Sequence, residues 1–426
     1  MEPRQAASAR QSGLSMVLRS LGHRNFRLFF GGQLVSLTGT WMQQIALSWL
    51  VYRLTDSPLL LGVVVFSGQV PTFLLASFAG VIADRSNRHK ILIITQTLAM
   101  VQALVLTGIV LSGVVQVWHI IGLSVFIGIV NAFDIPTRQA FFIEMIEKKE
   151  DLGNAIALNS SIVNSARFLG PTIGGLVIAG FGEGVCFLIN GLSYMAVLAA
   201  LLAMRIKYEK KAASDRHILS ELKEGFQYTY GFLPIRTLLL LVAAISLAGV
   251  PYSVLMPVFA RDILGGGPST LGFLMASAGI GSLIGTVYLA SRSTIRGLGR
   301  IIVFATSLLG AGLVAFSFST HMLLSMAFVF CAGFGMMVNM ASCNTIIQTV
   351  VDDSKRGRVM SFYTMSFMGM SPFGALLAGY GASRIGAPDT LIVGGLVCIL
   401  ASLLFARRLK AMREAVRPVY ARKGVV

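Results

Sequence analysis

The sequence has few charged residues for its length. Only 12% of its 426 residues are charged and 55% are hydrophobic, whereas a soluble domain usually has about 25% charged residues. This shortage excludes an ordinary soluble globular protein and predicts a chain that crosses a membrane many times. Acidic residues are the scarcest: 18 Asp and Glu stand against 35 Lys and Arg, which leaves a net charge of +17. Because the bases lie in short segments beside apolar stretches, we expect no nucleic-acid partner.

Cysteine and catalytic motifs are also lacking. The four cysteines sit inside apolar stretches without paired spacing, which excludes a disulfide framework and a cysteine metal site: Cys186, Cys331, Cys343 and Cys398. The chain has no Gly-x-x-x-x-Gly-Lys-Ser/Thr phosphate loop, no Gly-x-Ser-x-Gly and no His-Glu-x-x-His. We therefore expect no enzyme, no metal and no cofactor, and we expect an ion gradient rather than a nucleotide as the energy source.

Long apolar stretches are what the sequence does contain. About 20 apolar residues cross a bilayer as a helix, and an open sheet cannot satisfy its backbone in lipid. The predicted fold class is therefore an all-α membrane protein with twelve transmembrane helices. The predicted spans are 26–51, 58–82, 91–112, 116–137, 153–180, 184–204, 235–260, 269–290, 301–319, 322–348, 357–380 and 389–408.

The distribution of positive charge predicts the orientation. All but four of the 35 Lys and Arg lie in the two ends of the chain and in the even-numbered loops. Cytoplasmic segments carry the excess of bases, so both termini are expected in the cytoplasm of a bacterial plasma membrane. The four exceptions are Arg53, Arg167, Arg261 and Arg384.

The two halves of the chain repeat each other. A shift of 210 residues places Ser36-Leu37-Thr38-Gly39 on Ser246-Leu247-Ala248-Gly249, and a shift of 201 places Pro171 on Pro372. Two six-helix bundles related by a parallel repeat, with a substrate path between them, are a recurrent transporter plan. The predicted division is a basic N-terminal tail (1–25), a bundle (26–204), a cytoplasmic linker (205–234), a second bundle (235–408) and a basic C-terminal tail (409–426).

A charged loop between predicted spans 2 and 3 carries the first resemblance to a known family. It contains Gly80, Asp84, Arg85, Arg88 and Lys90. A positive loop that sets topology is one interpretation. The glycine, the acid four residues on and the crowded bases also resemble the signature of major facilitator superfamily transporters. In that family the acid latches the loop against the end of span 11 when the cytoplasmic side is closed.

The corresponding loop between predicted spans 8 and 9 departs from the signature. Under the 210-residue shift, Asp84 and Arg85 fall on Thr294 and Ile295. Positive charge remains there in Arg292, Arg296 and Arg300. The gate implied by the resemblance is therefore expected to be asymmetric.

Predicted span 5 carries a second resemblance. Its segment Arg167-Phe168-Leu169-Gly170-Pro171-Thr172-Ile173-Gly174-Gly175 is similar to the glycine-proline motif of exporters in this superfamily. The segments 131–141 and 158–161 resemble a branch that includes enterobactin-type siderophore exporters and macrolide or multidrug efflux proteins. This resemblance implies export of a small organic molecule, driven by the proton-motive force.

Two opposite charges lie inside neighbouring predicted spans. Charges within the bilayer are costly and usually pair or face a cavity. Asp134 and Arg167 could form a structural pair, Asp134 could be a proton site whose protonation frees Arg167, or Arg167 could attract an anionic substrate. Arg138 is a rival partner for Asp134, although Pro136 between them disturbs helical spacing. Asn131 and Asn164 are further candidates for lining the path, and Asn164 shares one face of span 5 with Arg167, Gly170 and Gly174.

These features favour an exporter that works as a monomer by alternating access, surrounded by membrane lipid and handling a small-molecule substrate. Proton-coupled uptake is the competing transporter hypothesis. A membrane scaffold or sensor without transport is the alternative from another class. The buried Arg167 argues against the scaffold, which has no need of a charge inside a span.

Overall fold

Twelve long helical segments make up most of the described part of the protein. The computed structural model describes residues 19–146, 148–204, 227–292, 294–352 and 355–422, without the side chains of Ser77, Asp84 and Lys149. The segments are α1 (Arg24–Thr55), α2 (Pro58–Arg85), α3 (Arg88–Leu111), α4 (Val117–Glu144), α5 (Leu152–Phe181), α6 (Glu183–Ala203), α7 (Leu233–Ile263), α8 (Pro268–Ala290), α9 (Leu298–Ser317), α10 (Met322–Val350), α11 (Arg356–Thr364 and Ser371–Ile385, joined by the π-helical turn Met365–Gly369) and α12 (Ala387–Arg422).

Ten of these segments are long and apolar enough to cross a membrane, as judged over the described residues. The other two are α1, which contains several glutamines and arginines, and α11, which the π-helical turn divides. The twelve segments coincide with the twelve predicted spans, and the predicted all-α membrane fold is confirmed.

The helix starts reflect the internal repeat. Pro58 and Pro268, which the 210-residue shift superimposes, occupy the first positions of α2 and α8. Proline suits this position because its ring presets the helical φ and its missing N–H would have no partner there. Ser57 precedes Pro58 and caps α2 by accepting a hydrogen bond from the backbone N–H of Leu60.

Helix packing shows the parallel repeat directly. In the first half, α1 packs on α5 and α6, α2 on α4, and α3 on α4 and α6. In the second half, α7 packs on α11 and α12, α8 on α10, and α9 on α10 and α12. Adding six to each helix number of the first set gives the second set. The two six-helix bundles predicted from the sequence are thus present, and between them α5 packs on α8 and α2 on α11.

The structure describes most of the predicted C-terminal tail but little of the predicted N-terminal tail. Residues 1–18 of the N-terminal tail, residues 205–226 of the linker and the last four residues lie outside the described residues. At the other end, α12 continues to Arg422, past the predicted end of span 12 at residue 408. The extension is helical because Met412 and Val416, one turn apart, are buried on one side of it.

The long helices run between two opposite faces of the molecule. The terminal face is the one where α1 begins and α12 ends. The distal face is the one where α1 ends and α2 begins. Because consecutive helices alternate in direction, α5 and α11 end at the distal face, and α8 begins there.

Candidate functional site: two charged centres and a distal clasp

The first charged centre is built around Asp134 in α4. Its carboxylate is 3% exposed and forms an ion pair with Arg138, one turn further along the same helix. The other carboxylate oxygen accepts hydrogen bonds from Thr95 Oγ1 at 2.9 Å and Gln96 Nε2 at 2.8 Å, both in α3. A buried carboxylate needs such donors, because removing it from water without them is expensive.

Arg138 extends this centre to a third helix. Its Nη1 donates to Gln33 Oε1 of α1 at 3.2 Å. Its side chain is 26% exposed, in contrast to the enclosed Asp134. The pair thus has one enclosed member and one accessible member, which is the arrangement needed for a charge that can be released. Asn131, three residues before Asp134, is half-buried on the same helix.

The structural pair of Asp134 with Arg167, one of the three interpretations of these charges, is contradicted, because Asp134 pairs with Arg138. Helix α4 runs without interruption from Val117 to Glu144 through Pro136, so the i,i+4 spacing that joins Asp134 to Arg138 is preserved. Arg138 is therefore the partner of Asp134, and Arg167 belongs to a separate centre.

Arg167 forms the second charged centre, at the boundary between the bundles. Its guanidinium lies over the ring of Trp41 in α1, 5.2 Å from the ring centroid. Its Nε is buried, and within the described part of the chain no group accepts a hydrogen bond from it. Tyr252 of α7, in the other bundle, lies within electrostatic range of Arg167.

The predicted polar and glycine face of α5 contacts two different helices. Gly170 and Gly174 lie against α1, where an added Cβ would meet Trp41 and Met42. Gly175 lies against α8: a Cβ built on Gly175 would lie 2.8 Å from the Cα of Gly272. The glycines therefore permit close approach both within the first bundle and between the bundles.

The rest of this motif completes the same contacts. The carbonyl oxygen of Pro171 lies 2.8 Å from a Cβ built on Gly272. Nearer the terminal face, Asn164 is buried and its side-chain amide donates to the Ser160 carbonyl at 2.9 Å.

A cluster of polar side chains, here called the distal clasp, joins the bundles at the distal face. It consists of Tyr52 and Asp56 in and after α1, and Arg261 and Asp262 in α7. Arg261 pairs with Asp56, and the Tyr52 hydroxyl donates to Asp262. The Arg261 guanidinium also lies 4.8 Å from the centroid of the Tyr52 ring. These contacts join the two bundles at the distal face.

Local backbone features position the distal clasp. Arg261 and Asp262 lie in the π-helical turn Phe259–Ile263 at the end of α7. Such turns are rare and recur at functional sites. Asp56 has a positive φ of 50° and ends α1, a conformation that Asp tolerates better than most residues.

The signature loop lies on the terminal face between α2 and α3. Asn87 caps α3 by accepting from the backbone N–H of Lys90 at 3.1 Å. Arg88 donates to Glu144 at the end of α4, at 2.5 Å. Arg85 and Lys90 are exposed, and a Cβ added to Gly80 would meet nothing within 4 Å. The side chain of Asp84, the acid of the signature, lies outside the described residues.

Sequence reasoning missed several residues of these sites. Thr95 and Gln96 belong to the polar run Thr95-Gln96-Thr97 inside a largely apolar span, and that run was a usable signal. Tyr52 and Asp262 occupy equivalent positions under the 210-residue shift, so their contact lies on the axis that relates the bundles. Only the three-dimensional arrangement shows that they touch.

Three relatives illustrate the similarity of this sequence to known proteins. It is 26% identical over 392 residues to the staphyloferrin A transporter of Staphylococcus aureus, covering 91% of this chain and 98% of that protein. It is 25% identical to the multidrug efflux pump Tap of Mycolicibacterium fortuitum, covering 88% of this chain and 93% of that protein. It is 24% identical to macrolide efflux protein A of Streptococcus pyogenes, covering 88% of this chain and 94% of that protein.

Solved structures share the fold at low sequence identity. A bacterial homologue of the human lysosomal transporter Spinster, in an inward-facing and unoccupied conformation, superimposes with a TM-score of 0.70 at 13% identity, covering 93% of this chain and 98% of that one. A POT family transporter in complex with 5-aminolevulinic acid superimposes with a TM-score of 0.74 at 10% identity, covering 91% of this chain and 96% of that one. These similarities concern the fold.

One protein family matches nearly the whole chain. Its description is "transmembrane secretion effector", and the match covers residues 16–420. This result, with the staphyloferrin A and efflux transporters above, confirms the resemblance seen in the sequence and the expectation that the protein is no enzyme. The chain therefore belongs to the transmembrane secretion effector family of major facilitator superfamily transporters.

Proposed function

We propose that this protein exports a small organic molecule across the plasma membrane in exchange for protons, by alternating access. The observation that carries the proposal is the enclosed Asp134 carboxylate paired with the more accessible Arg138. Protonating Asp134 removes the charge that holds Arg138, so the pair couples proton binding to release of a cation into the path. Each unit of pH difference across the membrane supplies about 1.4 kcal/mol per proton for this step.

The distal clasp and the signature loop are proposed as the two gates. The contacts of the distal clasp are formed in this structure, and we therefore assign it to the conformation that is closed at the distal face. Contacts made in one conformation and broken in the other bias a two-state equilibrium. We assign the latch of the opposite conformation to the loop with Gly80, Asp84, Arg85, Arg88 and Lys90, as the family resemblance implies. The terminal face is then cytoplasmic, in agreement with its positive charge.

The relatives support export as the direction. Two of the three are named for efflux, and the third transports staphyloferrin A. Export of an organic molecule is consistent with all three descriptions. The glycine contacts of α5 with α8 support the same mechanism, because they lie at a boundary that must open when the distal face opens.

Inside-out vesicles test the proposal. Their outer surface is cytoplasmic, so export appears as accumulation in the lumen. Two xanthene dyes, the anion carboxyfluorescein and the cation rhodamine 123, serve as probes. An acidic lumen should drive accumulation of at least one dye, and a protonophore should abolish it. Accumulation driven by an alkaline lumen would instead establish symport and contradict the proposal.

Asp134→Asn tests the coupling role. The amide keeps the shape and a hydrogen-bond acceptor but cannot gain a proton, so the pH gradient should no longer drive accumulation, while dye exchange without a gradient continues. Asp389→Asn is the matched control, because Asp389 is an exposed acid at the distal start of α12. Gradient-driven accumulation by the Asp134→Asn variant at the parent rate would rule out Asp134 as the coupling site.

A further inference from the structure

Arg167 differs from Arg138 and Arg261, the other half-buried arginines of the distal and central regions, because no acid among the described residues pairs with it. Arg138 has Asp134, and Arg261 has Asp56 and Asp262. Arg167 has a buried Nε to which no described group offers an acceptor, and an aromatic ring beneath its guanidinium. An unpaired buried charge is strongly destabilising, and charged residues within spans usually mark a substrate or ion pathway.

Two neutral aromatic side chains of the described residues lie near Arg167, one from each bundle. Trp41 belongs to α1, and Tyr252 belongs to α7. Tyr252 is only 5% exposed and brings a hydroxyl that can donate or accept a hydrogen bond. The backbone beside Arg167 is equally close to the second bundle, because a Cβ built on Gly279 of α8 would lie 3.1 Å from the Arg167 carbonyl oxygen. Arg167 is therefore fixed at a boundary that rearranges during transport.

The missing acceptor points to the charge of the ligand. The acid inside the neighbouring helix is already committed, since Asp134 accepts from Arg138, Thr95 and Gln96. A guanidinium with a free Nε presents a planar donor edge that matches a carboxylate. A cationic ligand at the same place would meet repulsion from Arg167 without an acid to offset it.

We infer that Arg167, with Tyr252 and Trp41, forms a subsite for a carboxylate group of the transported molecule. The substrate class is thus organic carboxylates, with the carboxylate on Arg167 and apolar or aromatic parts against Trp41. This inference rests on the proposed export function and narrows it. It separates this protein from pumps whose substrates are lipophilic cations.

The two-dye transport assay tests the inference. In inside-out vesicles with an acidic lumen, the parent protein should accumulate carboxyfluorescein well and rhodamine 123 poorly. Arg167→Gln should raise the apparent KM for carboxyfluorescein about tenfold or more, which corresponds to losing one charge-assisted interaction. Arg167→Lys should show an intermediate KM, because lysine keeps the charge and loses the planar donor edge.

Controls separate a binding role from a structural one. Arg384→Gln changes an exposed arginine at the distal end of α11 that stacks on Tyr380, and it should leave the KM unchanged. Tyr252→Phe should raise the KM less than Arg167→Gln does. The amount of each variant in monodisperse form, measured by size-exclusion chromatography, shows whether it folds, and the lysine variant keeps the test valid if the glutamine variant fails to fold.

Three results would overturn the inference. If the vesicles accumulate rhodamine 123 and not carboxyfluorescein, export stands and the carboxylate subsite is wrong. If they accumulate neither dye, the export proposal loses its support together with the subsite. If Arg167→Gln transports carboxyfluorescein with the parent KM, Arg167 does not bind the carboxylate.

Discussion

A single methyl group at Gly175 should open the distal face. Gly175 of α5 lies where this helix crosses α8 of the other bundle. A Cβ built there would lie 2.7 Å from the carbonyl oxygen of Pro268 and 2.8 Å from the Cα of Gly272. Both neighbours are backbone atoms, so neither can move aside by rotating a side chain. The substitution Gly175→Ala is therefore incompatible with the present closed crossing unless the helices separate.

The size of the effect follows from the cost of overpacking. Forcing a methyl group into a filled contact typically costs about 1–3 kcal/mol. This cost falls on the distal-closed conformation and is absent once α5 and α8 have separated. A differential free energy of this size shifts a two-state equilibrium about 5- to 150-fold. Gly62→Ala should act in the same direction at the α2–α11 crossing, where the Cβ would lie 2.5 Å from the Ala375 carbonyl oxygen.

Spin-label distance measurements in lipid nanodiscs can read this shift. Cysteines at Ser112 and Thr320 would place labels on exposed residues just beyond the distal ends of α3 and α9, one in each bundle. The half-buried Cys331 would be replaced by serine to avoid a third label. Gly175→Ala should add a population at longer distance to the distribution of the parent protein.

Gly180→Ala is the matched control. It lies on the same helix, and a Cβ added there would meet nothing within 4 Å. Its distance distribution should equal that of the parent. A Gly175→Ala distribution that also equals the parent would refute the reasoning, because the crossing would then have absorbed the methyl group without separating.

Two further predictions concern ion pairs at opposite faces. In the distal clasp, Arg261 and Asp56 are 35% and 69% exposed, and such pairs contribute about 0–1 kcal/mol. Arg261→Gln should therefore lengthen the same spin-label distances less than Gly175→Ala, and an equal or larger shift would contradict this ranking. On the terminal face, the hydrogen bond from His23 at 2.8 Å and the nearby Arg19 hold the pKa of Asp151 below its usual value. Stability from a carboxylate with a lowered pKa is present above the unfolded pKa, near 3.9, and is lost as the pH falls through the folded value. In thermal unfolding in detergent, Asp151→Asn should therefore unfold at a lower temperature than the parent at both pH 7 and pH 5.5. The difference should shrink below about pH 4. A difference that vanishes by pH 5.5 would contradict the assignment.

The intramembrane charges show how far local sequence carries a site prediction. Their scarcity was enough to select Asp134, Arg138 and Arg167 as the residues of interest, because a charge within a span rarely lacks a role. Their pairing could not be derived from the sequence. It depended on whether Pro136 interrupts α4 and on which helices face each other across α3 and α1. Because α4 is continuous, Asp134 and Arg138 lie one turn apart and form an ion pair.

The distal clasp illustrates a different gap. Tyr52 and Asp262 are 210 residues apart, and neither belongs to a motif. The repeat makes them equivalent, but equivalence by itself does not place two residues in contact. They meet only because the bundles close at the distal face around the axis that relates them. A contact of this kind belongs to one conformation, and a sequence encodes more than one conformation of a transporter.

The sequence by itself determined the membrane class, the twelve spans, the parallel repeat and the family, because each depends on local composition or on similarity along the chain. Apolar length decides what crosses a bilayer, and positive loops decide how it is oriented. Tertiary structure alone decided which charges pair, which residues join the bundles at the distal face and which guanidinium has no acid beside it among the described residues. These depend on distances between helices far apart in sequence, where a shift of a few ångströms makes or breaks an ion pair.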